Sequence, residues 1–350
     1  MLNKINKVEL IKKKLSFFKF GLVFIFFICI LILFSFIQSN KIIIVDMAKN
    51  TVKIPVNIER VVTLDPFSTQ IMIGLGLSNL LIDAQHGKNL VGEGFLKAVP
   101  NYNDWGSSFS GNTVILEKLI EKKPDLIISQ VGRPDINKIL ELKIPVIQLE
   151  VENDQAFIGA LNLCGEIFNK KTKAAEISRY ISKNLNNFYL LNDKNKNAKK
   201  PKIYFAGSKL FRTFGNQSFQ YWLANISGGI IVTEKYNNVK VDINPETLIK
   251  LNPDYIFLAK YTSDNIESIL NDPRFTVVNA IKNKSVYRIP TYIISWDLPS
   301  FEMISGISFL RYLFNFLSIT DFYSSLKELY KVCYNIEITD SEIENLLICK

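Results

Sequence analysis

A short phrase occurs twice in this chain, about 130 residues apart, and it constrains the fold more than any other feature. Residues 115–128 read ILEKLIEKKPDLII, and residues 244–257 read NPETLIKLNPDYIF. With Glu117 placed over Glu246, both follow the pattern E-x-L-I-x-x-x-P-D and continue into an apolar run. A helical turn that stops at a proline and leads into an apolar strand is an α→β unit. Solenoid repeats recur every ~20–50 residues, so this wider spacing predicts two lobes of similar build.

Strand patterns and helical patterns alternate through both halves of the chain. Strands are predicted over 41–47, 51–56, 60–65, 80–86, 125–130, 145–150, 202–207, 230–232, 254–259 and 285–290. Helices are predicted over 69–77, 114–123, 134–142, 218–226, 245–251, 264–270 and 299–316. Strands separated by helical patterns of ~10–15 residues are typical of βα units around a mainly parallel sheet. We therefore expect an α/β fold with two Rossmann-like lobes.

The alternation is interrupted in the middle of the chain. Apolar residues then recur at helical spacing with Lys and Asn between them, which predicts one long, rigid helix over 171–191 that joins the lobes. The predicted organisation is a basic head and signal segment (1–39), an N-terminal lobe (40–153), linking helices (154–193) and a C-terminal lobe with a helical tail (194–350). Thr339 and Glu342 in the tail fit a helix capping box.

The N-terminal segment predicts export or membrane anchoring. Six lysines and one glutamate in residues 1–39 precede and flank an uncharged apolar run at 20–37. Eighteen residues are long for a cleavable signal core and short for a membrane-spanning helix, so a transmembrane anchor and a signal peptide are both open. Lysines before the run place the N-terminus in the cytoplasm and the rest of the chain outside. We expect a periplasmic protein or one held on the outer face of the cytoplasmic membrane through residues 20–37.

Charge, cysteine and histidine counts exclude several function classes. The head contributes +5 of the net charge of +9, which leaves +4 on the remaining chain and gives no basis for nucleic-acid binding. Four cysteines without a CxxC motif argue against a zinc ribbon, although a Cys333–Cys349 pair is left open. The only histidine, His86, cannot supply a metal site that needs two or three imidazoles. We expect no cofactor of the protein's own.

Several segments together resemble one family of exported proteins. They are VDMAKNTVKIPVNIERVVTLDPFSTQIMIGLGL at 45–77, GNTVILEKLIEKKPDLIIS at 111–129, LANISGGIIV at 223–232, INPETLIKLNPDYIFL at 243–258 and NDPRFTVVNAIKNKSVYRIP at 271–290. In this order they resemble the substrate-binding proteins of ABC importers for iron–siderophore, haem and cobalamin. Residues 295–314, SWDLPSFEMISGISFLRYLF, look most like the iron-complex branch. The resemblance implies two α/β lobes joined by a rigid helix, a permease dimer with ATPase subunits as partner, and no enzymatic activity.

The resemblance also implies roles for the repeated phrase and for the cleft between the lobes. Glu117 and Glu246 stand where the family places the carboxylates that dock onto the two permease subunits. The ligand is expected at loops that follow strand ends, where aromatic faces and a few cations suit a chelate with anionic oxygens. The candidate ligand-binding residues are Phe67, His86, Trp105, Arg133, Arg212, Tyr261, Tyr292 and Trp296. His86 is also the one candidate metal ligand, and the metal itself is left unknown.

Alternatives remain open at this stage. The leading expectation is capture of an iron chelate of the siderophore type and its delivery to a permease. Haem, cobalamin, or a nickel or oxyanion complex would suit the same fold. A chelatase or nitrogenase-like enzyme, or a membrane-anchored sensor, would be a different class. Such enzymes need clustered His, Cys or paired acids, and a sensor needs more than the roughly nineteen residues that precede the apolar run.

Overall fold

The structure is a computed structural model that describes residues 41–85, 91–105, 107–111, 113–151, 153–194 and 199–348. The basic head and the apolar run at 20–37 lie outside these ranges, as do His86 and Cys349. No helix within the described part of the chain is long and apolar enough to cross a membrane. The predicted anchor therefore falls on residues of which the structure says nothing.

The first lobe is built on a four-stranded parallel sheet, in which the strands lie in the order Leu81–Ala84, Val61–Thr63, Leu126–Gln130 and Val146–Leu149. Its strands are β1 (Lys41–Val45), β2 (Thr51–Pro55), β3 (Val61–Thr63), β4 (Leu81–Ala84), β5 (Phe109–Ser110), β6 (Thr113–Val114), β7 (Leu126–Gln130) and β8 (Val146–Leu149). Its helices are α1 (Pro66–Gly74), α2 (Gly94–Ala98), α3 (Leu116–Glu121) and α4 (Ile136–Leu140), with 3₁₀ turns at Ser78–Leu80 and Tyr102–Asp104. Two antiparallel hairpins, β1-β2 and β5-β6, lie apart from the sheet.

Two helices link the lobes. They are α5 (Asp154–Ile167) and α6 (Lys171–Lys194). The helix predicted over 171–191 is thus present and continues to Lys194. Its buried residues are Ala174, Ile177, Tyr180, Ile181, Leu185 and Phe188, which is the apolar stripe seen in the sequence with Tyr180 added.

The second lobe contains a mixed sheet. Its strands are β9 (Lys202–Ala206), β10 (Arg212–Phe214), β11 (Ile230–Ile231), β12 (Lys240–Asp242), β13 (Tyr255–Leu258) and β14 (Val286–Arg288). Its helices are α7 (Phe219–Ile226), α8 (Pro245–Leu251), α9 (Ile266–Leu270) and α10 (Asn279–Lys282), with a 3₁₀ turn at Pro273–Phe275. The pairs β9-β11, β9-β13 and β13-β14 are parallel, whereas β10 and β12 are antiparallel additions. The sheet is therefore mainly parallel, as predicted.

Three helices close the chain. They are α11 (Met303–Leu313), α12 (Ile319–Tyr334) and α13 (Asp340–Ile348). The helix predicted over 299–316 begins later, at Met303, and ends at Leu313, because Asn315, with φ of 59°, adopts a left-handed conformation just beyond it. The capping box is confirmed: Thr339 N–H donates to the Glu342 carboxylate at 2.9 Å, and Glu342 N–H donates to Thr339 Oγ1 at 3.2 Å.

The closing helices contact the first lobe as well as the second. Tyr334 on α12 donates to Gln70 Oε1 on α1 at 2.6 Å, and the Phe301 ring packs edge-on against Phe157 of α5 with centroids 5.2 Å apart. A Cβ on Gly74 would lie 2.3 Å from the Phe301 ring, so this close approach requires glycine. One hydrophobic cluster consequently runs from α1 through the linking helices to β9 and α11. The tail predicted as part of the C-terminal lobe thus also packs on the N-terminal one.

The end of the repeated phrase has the same structure in both lobes. Lys123 and Asn252, with φ of 46° and 43°, end α3 and α8 in the left-handed region just before the Pro-Asp pair. Asp125 N–H donates to Arg60 O, and Asp254 N–H donates to Lys202 O, each at 2.8 Å. The Asp125 carboxylate accepts from Arg60 N–H at 2.9 Å, and that of Asp254 accepts from Lys202 N–H at 3.0 Å. Each Asp therefore fixes the entrance to the neighbouring strand, β3 or β9.

Candidate functional site

The carboxyl ends of the parallel strands place the candidate residues of the first lobe at one edge of its sheet. β3 leads into Asp65, β4 into Gln85, and β7 into the turn that carries Arg133. Crevices beyond the carboxyl ends of parallel strands are where α/β folds bind ligands. This edge is therefore the first-lobe wall of the candidate cleft.

Asp65 is buried and caps helix α1. Its carboxylate accepts from Ser68 N–H and from Ser68 Oγ, both at 2.8 Å. Burial raises the pKa of Asp65, while the hydrogen bonds from Ser68 and the nearby Arg133 charge oppose that rise. The Asp65 carboxyl is thus held by Ser68 and by the nearby Arg133 charge, and it caps α1 at the wall of the candidate cleft.

Arg133 is the best-placed cation of the first lobe, with only 6% of its surface exposed. Its guanidinium donates to Leu64 O, to Gln85 Oε1 at 2.9 Å and to Asp135 Oδ2 at 3.1 Å. Nε lies 2.6 Å from Asp135 Oδ1. Arg133 therefore joins the ends of β3, β4 and β7 with a charge that Asp135 balances. A ligand oxygen would have to share this guanidinium with the groups that already hold it.

Aromatic side chains line the same lobe near the edge. Phe67 follows Asp65 at the start of α1 and is partly buried against the core. Trp105 is half-buried and packs edge-on against Tyr102, with ring centroids 5.6 Å apart. Tyr102 in turn packs on Phe95 at 5.3 Å. Trp105 is therefore held in a fixed position by an aromatic stack.

The second lobe presents Tyr261 on the loop that follows β13. Arg288, the last residue of β14, donates to Ala259 O and Thr262 O at 3.2 Å and to Asp264 O at 2.9 Å. Arg288 therefore fixes the loop that carries Tyr261. The sequence analysis missed this role; the available signal was a cation at the end of an otherwise apolar strand.

A buried polar cluster lies beside Tyr261. Ser295 Oγ donates to Asp297 Oδ1 at 2.6 Å, and Gln220 Nε2 donates to Asp297 O at 3.0 Å. Burial raises the pKa of Asp297. Burial first, and then the Asp297 charge, raises the pKa of Tyr261 to about 12. Tyr261 is therefore a neutral phenol at physiological pH and can donate a hydrogen bond to a ligand oxygen.

Arg212 begins β10, which lies between β9 and the edge strand β12 in the second sheet. Its guanidinium donates to Asp242 Oδ2 at 3.0 Å, and 46% of the side chain is exposed. Asp242 is its direct partner in the β10-β12 ladder. Arg212 is thus paired across two antiparallel strands, whereas Arg133 is fixed at the ends of parallel ones.

Tyr292 and Trp296 are part of the interior. Trp296 is 0% exposed and donates from Nε1 to Tyr330 Oη at 3.1 Å, and Tyr292 is 2% exposed and donates to Glu342 Oε1 at 2.9 Å. The sequence analysis grouped both with the cleft because they follow strand β14. The closing helices α12 and α13 cover them instead, so in this structure their rings pack on protein.

The two glutamates of the repeated phrase are exposed and face the same side as the strand ends. Glu117 and Glu246 both lie in the first turn of a short helix that leads into a strand. In α→β units of this kind the helix runs antiparallel to the strand. Because of that direction, the first turn of each helix lies toward the carboxyl ends of the sheet. Within the described residues, neither carboxylate has an ion-pair partner within 4.0 Å.

A family model described as "Periplasmic binding protein" matches residues 61–293, which span both sheets and the linking helices. The chain belongs to the periplasmic binding protein family. This confirms the resemblance stated from the sequence. In a binder of this family one lobe lies on each side of a cleft, which agrees with the two repeated α→β units and the two sheet edges.

The proteins that this periplasmic binding protein resembles are described with different ligands or with none. The molybdate-binding protein MolA of Haemophilus influenzae is 23% identical over 303 residues, which cover 79% of this chain and 85% of MolA. A periplasmic solute binding protein from Veillonella parvula superposes with a TM-score of 0.77 at 21% identity, covering 88% of this chain and 97% of that one. A nickel–histidine complex of CeuE from Helicobacter pylori gives 0.70 at 19% identity, with 88% and 99% covered. At these identities, the structural matches establish the fold alone.

Metal ligation by His86 falls outside the described residues and stays a prediction. Among the residues that the structure does describe, no group of three or more His, Cys, Asp or Glu side chains is arranged to hold a metal ion. Cys164 and Cys333 are both buried free thiols, and burial raises their pKa. The Cys333–Cys349 pairing involves a residue outside the described ranges.

Proposed function

We propose that this periplasmic binding protein captures a metal complex rich in anionic oxygens in the cleft between its lobes and delivers it to an ABC permease with its ATPase subunits. The observation that carries the transport role is the paired placement of Glu117 and Glu246. Both are exposed, both lie in a first helical turn, and both face the side of the strand ends. One carboxylate per lobe suits a permease built from two related subunits, because the same charge-assisted contact is then made twice.

The cargo class follows from the polar groups at the two sheet edges. The first lobe offers the Arg133 guanidinium and the Trp105 ring, and the second offers the neutral Tyr261 phenol. The buried carboxyls Asp65 and Asp297 already accept hydrogen bonds from Ser68 and Ser295. The guanidinium and phenol donors favour a ligand that presents oxygen lone pairs. An iron chelate of the siderophore type is our first candidate.

A second candidate is a compact metal oxyanion such as molybdate. The specific observation in its favour is the match to MolA, which extends over both lobes. An oxyanion and a ferric chelate share the same outer chemistry, namely anionic oxygens around a metal. They differ in size and in their need for aromatic surface, so Phe67 and Trp105 should matter for the chelate and little for the oxyanion.

Binding measurements on the purified full chain test this proposal. Isothermal titration with ferric catecholate, ferric citrate and sodium molybdate should reveal one class bound at micromolar Kd or tighter, about −8 kcal/mol. Haem, cobalamin and nickel with histidine are titrated in the same way. Free Zn²⁺ or Mn²⁺ should bind poorly. Tight binding of a bare divalent ion, with no response to any oxygen-rich complex, would refute the cargo class.

Variants locate the cation that meets the ligand. Arg133→Ala should weaken the responding complex by tenfold or more, since a hydrogen bond to a charged group is worth about 1.5–3 kcal/mol. Arg212→Ala tests the second lobe in the same way. Arg179→Ala is the matched control, because Arg179 is exposed on the linking helix α6. Equal affinities in all three variants would show that neither the Arg133 nor the Arg212 guanidinium binds the ligand.

We propose further that residues 20–37 stay attached and hold the lobes at the outer face of the cytoplasmic membrane. The run is long for a signal core, and Ile37 and Ser39 are a weak fit to a cleavage site of small residues. Tethering would raise the effective concentration of the lobes at the permease. N-terminal sequencing of the mature protein decides this point. A first residue near Asn40 would show cleavage and a periplasmic pool.

A further inference from the structure

A backbone contact joins the two lobes at a place far in sequence from the linking helices. The loop Pro290–Trp296, which follows β14 in the second lobe and which we call the strap, pairs with residues 91–94 of the first lobe. Val91 and Ile294 form an antiparallel bridge. Gly92 N–H donates to Ile293 O at 3.3 Å, and Gly94 N–H donates to Tyr292 O at 2.9 Å. The lobes are thus connected by hydrogen-bonded backbone as well as by α6.

The other edge of the strap is held by a single buried carboxylate. Glu302, immediately before α11, is 0% exposed. Its Oε1 accepts from Ile293 N–H at 3.1 Å, its Oε2 accepts from Ile294 N–H, and Tyr330 Oη donates to Oε1. The N–H groups of the strap therefore meet second-lobe Glu302, while its carbonyl groups meet the first lobe. An interior backbone segment needs partners on both edges, and here the two lobes supply one edge each.

The first-lobe partner is shaped for this contact. A Cβ on Gly92 would lie 2.3 Å from Thr291 O, and a Cβ on Gly94 would lie 2.6 Å from the Tyr292 ring. Neither glycine has a positive φ, so close approach, and not backbone conformation, requires them. Lys97 adds an ion pair to Glu342 at 2.5 Å, and Glu342 also accepts from Tyr292 Oη. Helix α2, the strap and α13 thereby meet at one junction.

The strap is also connected to both walls of the cleft. Its own Ser295 donates to Asp297, the group beside Tyr261. On the other side, residues 91–94 begin the segment that continues through α2 to Trp105. Displacement of the strap would therefore move candidate ligand-binding groups of both lobes relative to each other.

We propose that the strap is a noncovalent second connection between the lobes that sets the opening of the cleft, and that Glu302 is its positioning residue. The effect on ligand affinity rests on the proposed cleft function, whereas the effect on lobe separation does not. Loss of either edge leaves the lobes joined by the linking helices and the apolar packing alone, so the cleft samples wider openings.

The distance between the lobes measures this directly and needs no ligand. Spin labels at Lys138→Cys and Lys250→Cys, both exposed and one in each lobe, report the separation by double electron–electron resonance on the full chain. Cys29 and Cys349 are replaced by serine, and the buried Cys164 and Cys333 are left in place. Gly94→Ala and Glu302→Ala should both shift the distribution to longer distances and broaden it. Glu302→Gln, which keeps an acceptor oxygen, should restore much of the wild-type distribution.

Two controls separate positioning from general destabilisation. Gly159→Ala adds a Cβ within helix α5 that would meet the flexible Met47 side chain at 3.4 Å, and it should leave the distance unchanged. Leu119→Ala should lower stability without changing the distance. If Glu302→Ala fails to fold, Lys97→Ala with Glu342→Ala weakens the same junction from its exposed side. Wild-type distances in Gly94→Ala and in every folded junction variant would overturn the proposal.

Affinity provides a second readout once a cargo is identified. A junction variant that reduces the binding-competent fraction to a tenth should weaken binding of ferric catecholate or molybdate about tenfold, because apparent affinity scales with that fraction. Longer distances with unchanged affinity would support the strap as a connection between the lobes. The same result would contradict its effect on ligand binding in the cleft. Failure of the wild-type protein to bind any complex would instead count against the proposed function.

Discussion

The two copies of the repeated phrase differ at their beginning and agree at their end. Helix α8 starts with Asn244, whose side chain accepts from Thr247 N–H at 2.9 Å, and with Pro245 at its first position. Helix α3 starts after Ile115, which has no side chain able to cap it. Both nevertheless hold an exposed Glu in the first turn and end in the same Pro-Asp geometry. The shared residues thus determine how the helix leads into the strand and where the exposed carboxylate lies. The start of the helix is capped differently in each lobe.

The largest expected effect concerns the glutamates that the two copies share. Glu117→Lys with Glu246→Lys should abolish uptake in cells and leave ligand affinity of the purified protein nearly unchanged, because both carboxylates face outward. Each single reversal shows whether the lobes contribute equally. Glu121→Lys and Glu267→Lys are matched exposed controls that should transport normally. Equal loss of ligand binding in the double variant would place the glutamates in the cleft and end the docking hypothesis.

The next effect tests whether the lobes are energetically equivalent. Leu119 and Leu248 occupy the same position of the phrase, and each is fully buried in a satellite cluster of its own lobe. Leu119→Ala and Leu248→Ala should each cost about 3–5 kcal/mol in urea denaturation. Ile120→Ala, at a half-exposed neighbour, should cost far less. Because one hydrophobic cluster spans both lobes, we expect a single transition; two separate transitions would show independent lobes.

The pH dependence of the free energy of unfolding tests the junction, where the Glu302 carboxyl is buried. Burial raises the pKa of Glu302 from its usual 4.5 to about 7, against the hydrogen bonds from Tyr330 and the strap. Between these values the folded protein binds a proton that the unfolded chain has released. Stability should therefore decrease as pH rises from about 4.5 to about 7, by about 3 kcal/mol from this group.

Urea denaturation across pH 4.5–8 measures that slope, and Glu302→Gln should flatten it in the upper part of the range. Asp65 and Asp297, whose pKa values are raised in the same direction, add to the slope from within the two lobes. A wild-type profile that rises from pH 5 to pH 7 would contradict the assignment of a protonated Glu302.

The smallest effect compares the two strand entrances. Asp125→Ala removes the acceptor for Glu59 N–H and Arg60 N–H, and Asp254→Ala removes the acceptor for Lys202 N–H and the Asn279 side chain. Each should cost about 1 kcal/mol, because these groups are partly exposed and water replaces the lost carboxylate. Thermal denaturation of the two variants side by side gives the difference. A cost above that of Leu119→Ala in either lobe would mean that the Asp does more than fix a strand end.

Local signals predicted most of the elements but not the site. The alternation of patterns predicted the parallel strands of both lobes, since periodicity and the Pro-Asp stop act within a few residues. It missed the short strands β5, β6, β10 and β12 and the closing helix α12. Trp296 and Tyr292 show the limit. Their position after a strand predicts cleft residues, but helices that begin more than twenty residues later cover them. Glu302 gave no local signal, and the cation at the end of β14, Arg288, did not reveal its partners. In both cases the partners are backbone groups of loops that only folding brings near.

The sequence by itself determined the two α/β lobes, the long helix between them and the outward carboxylate in each lobe. All of these depend on residues that are neighbours along the chain. The tertiary structure alone decided that Arg133 is held by three strand ends and by Asp135, that the closing helices pack on both lobes, and that residues 91–94 pair with the strap. The physical reason is that buried polar groups require partners, and in this chain those partners lie far away in the sequence.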